Sequence, residues 1–119
     1  MEKPNQVITF SKDAPIYLQF ADFLRQEIIS GKIQPGDRIP SVRDLAELYT
    51  INPNTAQRAI GLLESESLVV PDSTNGKFVT KEKGIIKAAR EQQAQQIAAN
   101  LKFQLENANL KLNEVTKYL

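Results

Sequence analysis

The sequence contains no cysteine, no histidine and no tryptophan among its 119 residues. Without cysteine there are no disulfides and no thiol chemistry, and without histidine the usual zinc ligands are missing as well. No apolar run approaches the roughly 20 residues that a membrane-spanning helix needs. The polar beginning, MEKPNQ, does not have the form of a secretory signal. We therefore expect a soluble, cytoplasmic protein that needs neither a metal ion nor another cofactor.

The side-chain groupings that enzymes use are also missing. The sequence has no glycine-rich phosphate loop and no carboxylate pair with a base beside it. Ser41 and Ser73 have simpler roles, the first as a helix cap and the second in a turn. The sequence therefore predicts that the protein is not an enzyme.

Charge is nearly balanced, with 15 basic and 14 acidic side chains. Residues 1–80 carry 8 basic and 10 acidic side chains, whereas residues 81–119 carry 7 and 4. A nucleic-acid binder is often basic as a whole, and this chain is not. A basic surface patch must therefore come from local clustering of a few side chains. The candidates are Arg38, Arg43, Arg58 and Lys77.

Residues 35–79 have the pattern of two short helices joined by a tight turn. Ser41 is the expected N-cap of the first helix, with Asp44 three residues later as in a capping box. Asn52 is the expected N-cap of the second helix, and Pro53 suits its first turn. Apolar contacts between the two helices are expected from Leu45, Ala46, Leu48 and Ile51. This pattern predicts a helix-turn-helix, whose second helix is suited to a DNA major groove.

The second helix is predicted to run from about Pro53 to Glu66, with one apolar face. The residues expected to be buried on that face are Ala56, Ala59, Ile60 and Leu63. The residues expected to point away from the core are Asn54, Gln57, Arg58 and Gly61. Thr55 lies at the boundary, in the first turn, where its hydroxyl and the backbone N–H groups can meet a phosphate.

Shorter elements surround this pair of helices. Strands are predicted at 68–70 and 77–79 around an Asn75-Gly76 turn, because both turn positions must tolerate positive φ. Arg38 and Ile39 are expected to form a short strand that pairs with this hairpin. Upstream, a helix is predicted with Asp13 as N-cap and Gly31 near its C-terminal cap. Its core positions are Ile16, Phe20, Phe23, Leu24, Ile28 and Ile29.

The composition changes after Gly84, beyond which there is no glycine and no proline. A helix is predicted over about 85–106, a break at 107–109 and a second short helix over 112–119. An apolar stripe runs along them: Ile86, Ile97, Leu101, Leu105, Ala108 and Leu112. Two helices cannot bury such a stripe alone, so they require either the first helix of the domain or a second copy of the chain.

Several of these motifs, in this order, resemble the GntR family of bacterial transcription regulators. The matching stretches are 15–17, 31–37, 40–46, 52–55 and Gly76. The resemblance implies a mainly α fold with a small β-hairpin wing. It implies an N-terminal arm over 1–12, a winged helix-turn-helix over 13–80 and a helical dimerisation tail over 84–119. A tail of this kind resembles that of the YtrA subfamily, in which it pairs two subunits.

The resemblance also implies roles for individual residues. Arg43 matches an arginine that contacts DNA, although the same side chain can instead pair with Glu47 one turn away. Thr55 matches a phosphate-contacting hydroxyl, and Gln57 replaces an arginine of many members and can read adenine. The DNA-binding set is Ser41, Arg43, Asn52, Asn54, Thr55, Gln57, Arg58, Gly76 and Lys77. The dimerisation set is Ile97, Leu101, Leu105 and Leu112.

The expected function is sequence-specific regulation of transcription by a homodimer on an inverted repeat of double-stranded DNA, with repression as the expected sign. Family resemblance suggests control of a transporter operon, and a small-molecule effector acting at the dimer interface or between tail and winged helix stays open. The alternative is a winged-helix module that binds another protein. Arg43, Gln57 and Arg58, exposed together, are unusual for such an interface, which favours aromatic residues.

Overall fold

The computed structural model describes residues 8–74 and 76–119. Residues 1–7 of the predicted arm and Asn75 of the predicted turn lie outside the described residues. The elements are α1 (Ile16–Ile29), β1 (Arg38–Ile39), α2 (Val42–Tyr49), α3 (Pro53–Ser65), β2 (Val69–Pro71), β3 (Lys77–Val79), α4 (Lys83–Ala108) and α5 (Leu112–Thr116). The prediction of a mainly α fold with a small sheet is confirmed. Contacts divide the chain after Lys87 into two units.

The core of the first unit lies between α3 and the other helices. The apolar face predicted for α3 is confirmed, since Ala56, Ala59, Ile60 and Leu63 are all at most 2% exposed. From α1, Phe20, Leu24 and Ile28 are buried, and Leu45 is the fully buried residue of α2. Ile16 was predicted for the core but is 44% exposed, because it lies at the first residue of its helix.

Three aromatic rings fix α2 against α1. The ring of Tyr49 lies 5.1 Å from that of Phe20 and 5.4 Å from that of Phe23 between centroids. Tilted and edge-on contacts of this kind are favourable for aromatic quadrupoles. Burial, together with the charge of Glu27, raises the pKa of Tyr49 to about 12, so the phenol stays neutral at ordinary pH.

A bidentate ion pair connects α1 to the C-terminal end of α3. Arg25 donates from Nε and Nη2 to the two carboxylate oxygens of Glu66, both at 2.7 Å, and also pairs with Asp22. These bonds, that to Glu66 first, raise the pKa of Arg25. Glu66 is the C-cap of α3, so the contact holds the far end of that helix.

The start of α1 differs from the prediction. Pro15, not Asp13, is the N-cap, and it supplies no side-chain hydrogen bond. Instead, Gln19 reaches back from the first turn: its Nε2 donates to the carbonyls of Ser11 and Ala14, both at 2.8 Å, and its Oε1 accepts from the Ser11 amide. An amide carries both donors and an acceptor, so it can satisfy backbone groups that a carboxylate cannot. At the other end, Gly31 has a φ of +85°, as a residue after a helix often does.

The small sheet has three antiparallel strands in the order β1-β3-β2. Arg38 and Val70 both pair with Phe78, from opposite sides of β3. The predicted pairing of Arg38 and Ile39 with the hairpin is therefore confirmed. Pro71 is tolerated because β2 is an edge strand.

Both predicted caps of the helix-turn-helix are present. The Ser41 hydroxyl accepts from the Asp44 amide at 3.1 Å, and the Asn52 side chain accepts from the Asn54 amide at 2.8 Å. Between the helices, Thr50 has a φ of 54° and a ψ of 54°, the left-handed conformation. A β-branched residue is strained there, because its Cβ crowds the backbone.

The second unit contains most of α4 and all of α5. The predicted break is confirmed at Asn109, whose φ is 54°, and the Leu110 amide closes the turn by donating to the carbonyl of Leu105 at 2.9 Å. The first helix is longer than predicted and the second ends at Thr116. None of the described residues of α4 and α5 is buried. In the described part of the chain, no helix combines the length and apolarity required to cross a membrane.

The strain at Thr50 leads to a stability prediction. We expect Thr50→Gly to raise the free energy of unfolding by about 1 kcal/mol, because glycine has no Cβ to clash in the left-handed region. Thr50→Ala is the matched control, since it shortens the side chain but keeps Cβ. Urea unfolding followed by circular dichroism measures both. Equal changes in the two variants would contradict the role of backbone strain.

Candidate nucleic-acid interface

The first two turns of α3 present polar side chains away from the core. Asn54, Gln57 and Arg58 are exposed and Thr55 is half-buried, as the helical spacing predicts. The oxygen of the Asn52 side chain caps this end, and Pro53 begins the helix. Pro53 has no N–H and the Asn54 amide is bonded to the Asn52 side chain, so the Thr55 amide and the positive end of the helix dipole remain to favour a negatively charged partner. The amino-terminal half of α3 is therefore suited to reading a groove beside phosphates.

Ser41 and Asn52 were predicted to contact DNA, and the structure places both as helix caps. Their side-chain oxygens already accept backbone amides, so each fixes the start of its helix. The hydroxyl of Ser41 also keeps a proton that it can donate to a phosphate oxygen. Their contact with DNA stays a prediction.

Arg43 lies near the start of α2 with 87% of its side chain exposed. Its Nε is 3.6 Å from the carboxylate of Glu47, which is itself 69% exposed. An ion pair between such exposed groups contributes roughly 0–1 kcal/mol. The pairing with Glu47 is thus present but weak, and it leaves the guanidinium accessible to a nucleic acid.

Arg58 has a partner that helical spacing did not reveal. Its guanidinium carbon lies 3.9 Å from the centroid of the Tyr17 ring, in the first turn of α1. This is a cation–π contact across two helices. The resemblance included Tyr17 in a matching stretch, but the residues are far apart in sequence and only the packing of α1 on α3 brings them together.

Lys77 is less available than predicted. Its Nζ lies 2.9 Å from Oε1 of Glu64 on α3, and the two side chains are 34% and 30% exposed. This ion pair connects β3 of the wing to α3. Sequence analysis missed Glu64 as a partner because it lies in a different element from Lys77. The DNA contact predicted for Lys77 requires its ammonium group either to dissociate from Glu64 or to contact Glu64 and a phosphate at the same time.

The turn of the wing is organised by Asp72. One of its carboxylate oxygens accepts from the Thr74 hydroxyl at 2.6 Å, the Thr74 amide at 2.9 Å and the Gly76 amide at 3.2 Å. These hydrogen bonds, led by that of the Thr74 hydroxyl, lower the pKa of Asp72, and the charge of Arg38 acts in the same direction. The signal for this turn was in the sequence, because aspartate favours a hydrogen bond to the backbone two residues on.

Gly76 is buried at the base of this turn. A Cβ at this position would lie 2.9 Å from Cε2 and 3.3 Å from Cζ of the Phe78 ring. Glycine therefore allows the close approach of backbone and ring at the wing. This is a packing reason for glycine, separate from the turn geometry that the sequence suggested.

No metal site accompanies these residues in the chain as described. Across residues 8–74 and 76–119, no three histidine, cysteine, aspartate or glutamate side chains are grouped so as to hold a metal ion.

The pair between Lys77 and Glu64 leads to a binding prediction. We expect Glu64→Gln to strengthen binding to duplex DNA severalfold, because it releases the ammonium of Lys77 toward phosphate. Fluorescence anisotropy with a labelled duplex measures the effect. The control is Glu64→Gln combined with Lys77→Ala, in which the gain should vanish. A gain that persists would reflect only the loss of one negative charge, and would contradict a contact by Lys77.

The sequence model described as "Bacterial regulatory proteins, gntR family" matches residues 16–79. Among related sequences, the HTH-type transcriptional regulator YhcF of Bacillus subtilis strain 168 is 28% identical over 106 residues, covering 89% of this chain and 88% of YhcF. The transcriptional repressor YtrA of the same organism is 34% identical over 67 residues, covering 56% of this chain and 52% of YtrA.

Solved structures show the same similarity. A GntR family transcriptional regulator from Listeria monocytogenes matches with a TM-score of 0.84 and 28% identity, over 92% of this chain and 96% of that one. The DNA-binding domain of AraR, solved in complex with operator ORX1, matches with a TM-score of 0.56 and 28% identity, over 63% of this chain and 95% of that one. These relatives are transcription regulators and not enzymes. With a family match over more than half of its length and a winged helix-turn-helix fold, the chain belongs to the GntR family of bacterial regulatory proteins.

Proposed function

We propose that the protein is a sequence-specific repressor of transcription that binds an inverted-repeat operator as a homodimer. The observation that carries this proposal is the exposed polar face at the capped start of α3, within a GntR-type winged helix-turn-helix. The structure of the related AraR DNA-binding domain in complex with an operator supports DNA binding by a domain of this fold.

Within this proposal, the residues of α2 and α3 make different kinds of contact with DNA. Gln57 is the side chain suited to reading a base, because its amide can pair with N6 and N7 of adenine. Arg43 can fork onto guanine or bridge a phosphate, and each good base contact discriminates by about 1–3 kcal/mol. Thr55, through its hydroxyl and its backbone amide, contacts the DNA backbone and sets the register. In the wing, Gly76 is buried and lets the turn pack on the ring of Phe78, which shapes the hairpin that approaches the minor groove.

The helical tail provides the surface that pairs with a second copy of the chain. Ile97 and Leu112 are 57% and 53% exposed, and Leu101 and Leu105 are half-buried within a unit of only two helices. Burying such a stripe against a second chain gains about 25 cal/mol per Å² of apolar surface. A two-fold dimer then presents two recognition helices to half-sites about 34 Å apart, or a multiple of that distance.

The alternative is a winged-helix module that binds a protein. The fold itself permits both uses. The exposed face of α3 carries asparagine, glutamine and arginine where a protein interface would favour aromatic residues. The two functions are separated by salt, because phosphate contacts release counterions and lose affinity steeply as salt rises.

Selection of fragments from bacterial genomic DNA at low and at near-physiological salt tests the function. We expect enrichment of one or a few inverted repeats by the full chain. Arg43→Ala is the matched control: it should lose the enrichment while its melting temperature stays close to that of the wild type, because its ion pair with Glu47 is weak.

The outcomes of this selection discriminate the hypotheses. Enriched sites without two-fold symmetry would contradict the homodimer on an inverted repeat. An absence of binding at both salt concentrations would favour the protein-interaction module. A cooperative loss of folding in Arg43→Ala would show that this side chain stabilises the domain instead of contacting DNA.

A second variant tests the dimer. We expect Leu101→Asp to give a monomer with weaker operator binding, because a charge in the apolar stripe opposes burial. Ala99→Asp is the matched control, since it lies two residues earlier and so on the opposite face of α4. Sedimentation equilibrium measures the oligomeric state. A Leu101→Asp variant that remains dimeric, or an equal effect of both changes, would contradict dimerisation through this stripe.

A further inference from the structure

Three basic side chains of the first unit illustrate two chemical kinds of partner. Lys77 pairs with Glu64, and Arg25 pairs with Glu66 and Asp22, so a carboxylate offsets each of these positive charges. Arg58 instead lies against the ring of Tyr17. An aromatic ring attracts a cation through its quadrupole but carries no net charge. The positive charge of Arg58 is therefore held in place without being neutralised.

Geometry leaves the donors of Arg58 usable. The guanidinium carbon lies over the Tyr17 ring, 3.9 Å from its centroid. The N–H donors of a guanidinium lie in its plane and point outward from its edge. The contact with the ring thus restricts the position of the guanidinium, and Arg58 is exposed, so its N–H donors remain accessible to a partner.

The ring belongs to a well-fixed part of the chain. Tyr17 lies in the first turn of α1 and is half-buried. Two residues later, Gln19 holds the preceding segment through its hydrogen bonds to Ser11 and Ala14. Arg43 provides the contrast, because its side chain is 87% exposed and touches only a flexible carboxylate at 3.6 Å. Arg58, unlike Arg43, is held by an aromatic ring.

We propose that Tyr17 is a positioning residue for the DNA contact of Arg58. This rests on the proposed function. The ring orders the guanidinium before DNA arrives, so less side-chain freedom is lost on binding, and it does so without placing a negative charge beside the phosphates.

A double-mutant cycle on the full chain tests this. The probe is the duplex enriched by selection with the wild type, and the readout is the dissociation constant over a series of salt concentrations. We expect Tyr17→Leu to weaken binding about fivefold to tenfold. Tyr17→Phe keeps the ring and should stay within about twofold of the wild type. In the Arg58→Ala background, Tyr17→Leu should cause no further loss.

Salt dependence separates positioning from contact. Arg58→Ala should reduce the slope of log affinity against log salt by about one, because one phosphate contact is lost. Tyr17→Leu should lower the affinity and leave that slope unchanged. Arg58→Lys keeps the charge but lacks the planar group, and should lose affinity to a similar extent as Tyr17→Leu.

Several results would overturn the proposal. Additive losses from Tyr17→Leu and Arg58→Ala would show that the tyrosine acts independently, and a large loss in Tyr17→Phe would assign the effect to the hydroxyl. Full affinity in Arg58→Lys would show that the planar guanidinium is not needed on the ring. Thermal unfolding identifies any variant that is misfolded. If the wild type enriches no DNA, the proposed function itself is contradicted. If the wild type binds specifically and the Tyr17 variants bind equally well, only the positioning role of Tyr17 is contradicted.

Discussion

The burial of one face of α3 is the constraint on which the rest of the first unit depends. Two of the four buried residues on this face are alanines, so α1 and α2 can approach the helix closely, and Ile60 and Leu63 fill the remaining space. Each fully buried leucine or isoleucine contributes about 1.5–3 kcal/mol relative to exposure. Because a helix has only one rotation that buries this face, Asn54, Gln57 and Arg58 must point outward.

Contacts around that core then decide how the face is presented. The aromatic cluster of Tyr49, Phe20 and Phe23 fixes the helix that carries Arg43, and the pair of Arg25 with Glu66 fixes the far end of α3. The chain is almost neutral, so a DNA-binding surface depends on where single positive charges stand and what they pair with. A carboxylate and an aromatic ring both orient a cation, but only the ring leaves its field intact.

The second unit follows a different rule. A pair of helices with an exposed apolar stripe has too little interior of its own, and its most apolar residues stay accessible. The first unit has a closed core and the second does not. This difference supports the proposal that the first unit contacts DNA and the second unit pairs with another copy of the chain.

The features that depend on neighbours along the chain could be predicted before the fold was known. Side-chain caps at Ser41 and Asn52, the buried face of α3 and the break at Asn109 follow from hydrogen bonds and spacing within a turn or two. The prediction of Asp13 as the N-cap of α1 was wrong. Gln19, four residues beyond Pro15, instead forms the side-chain hydrogen bonds to the backbone before the helix. The contacts of Arg58 with Tyr17 and of Lys77 with Glu64 were visible only in the folded chain. Such pairs join different elements, and their geometry is fixed by how helices and strands pack, which periodicity along one element does not encode.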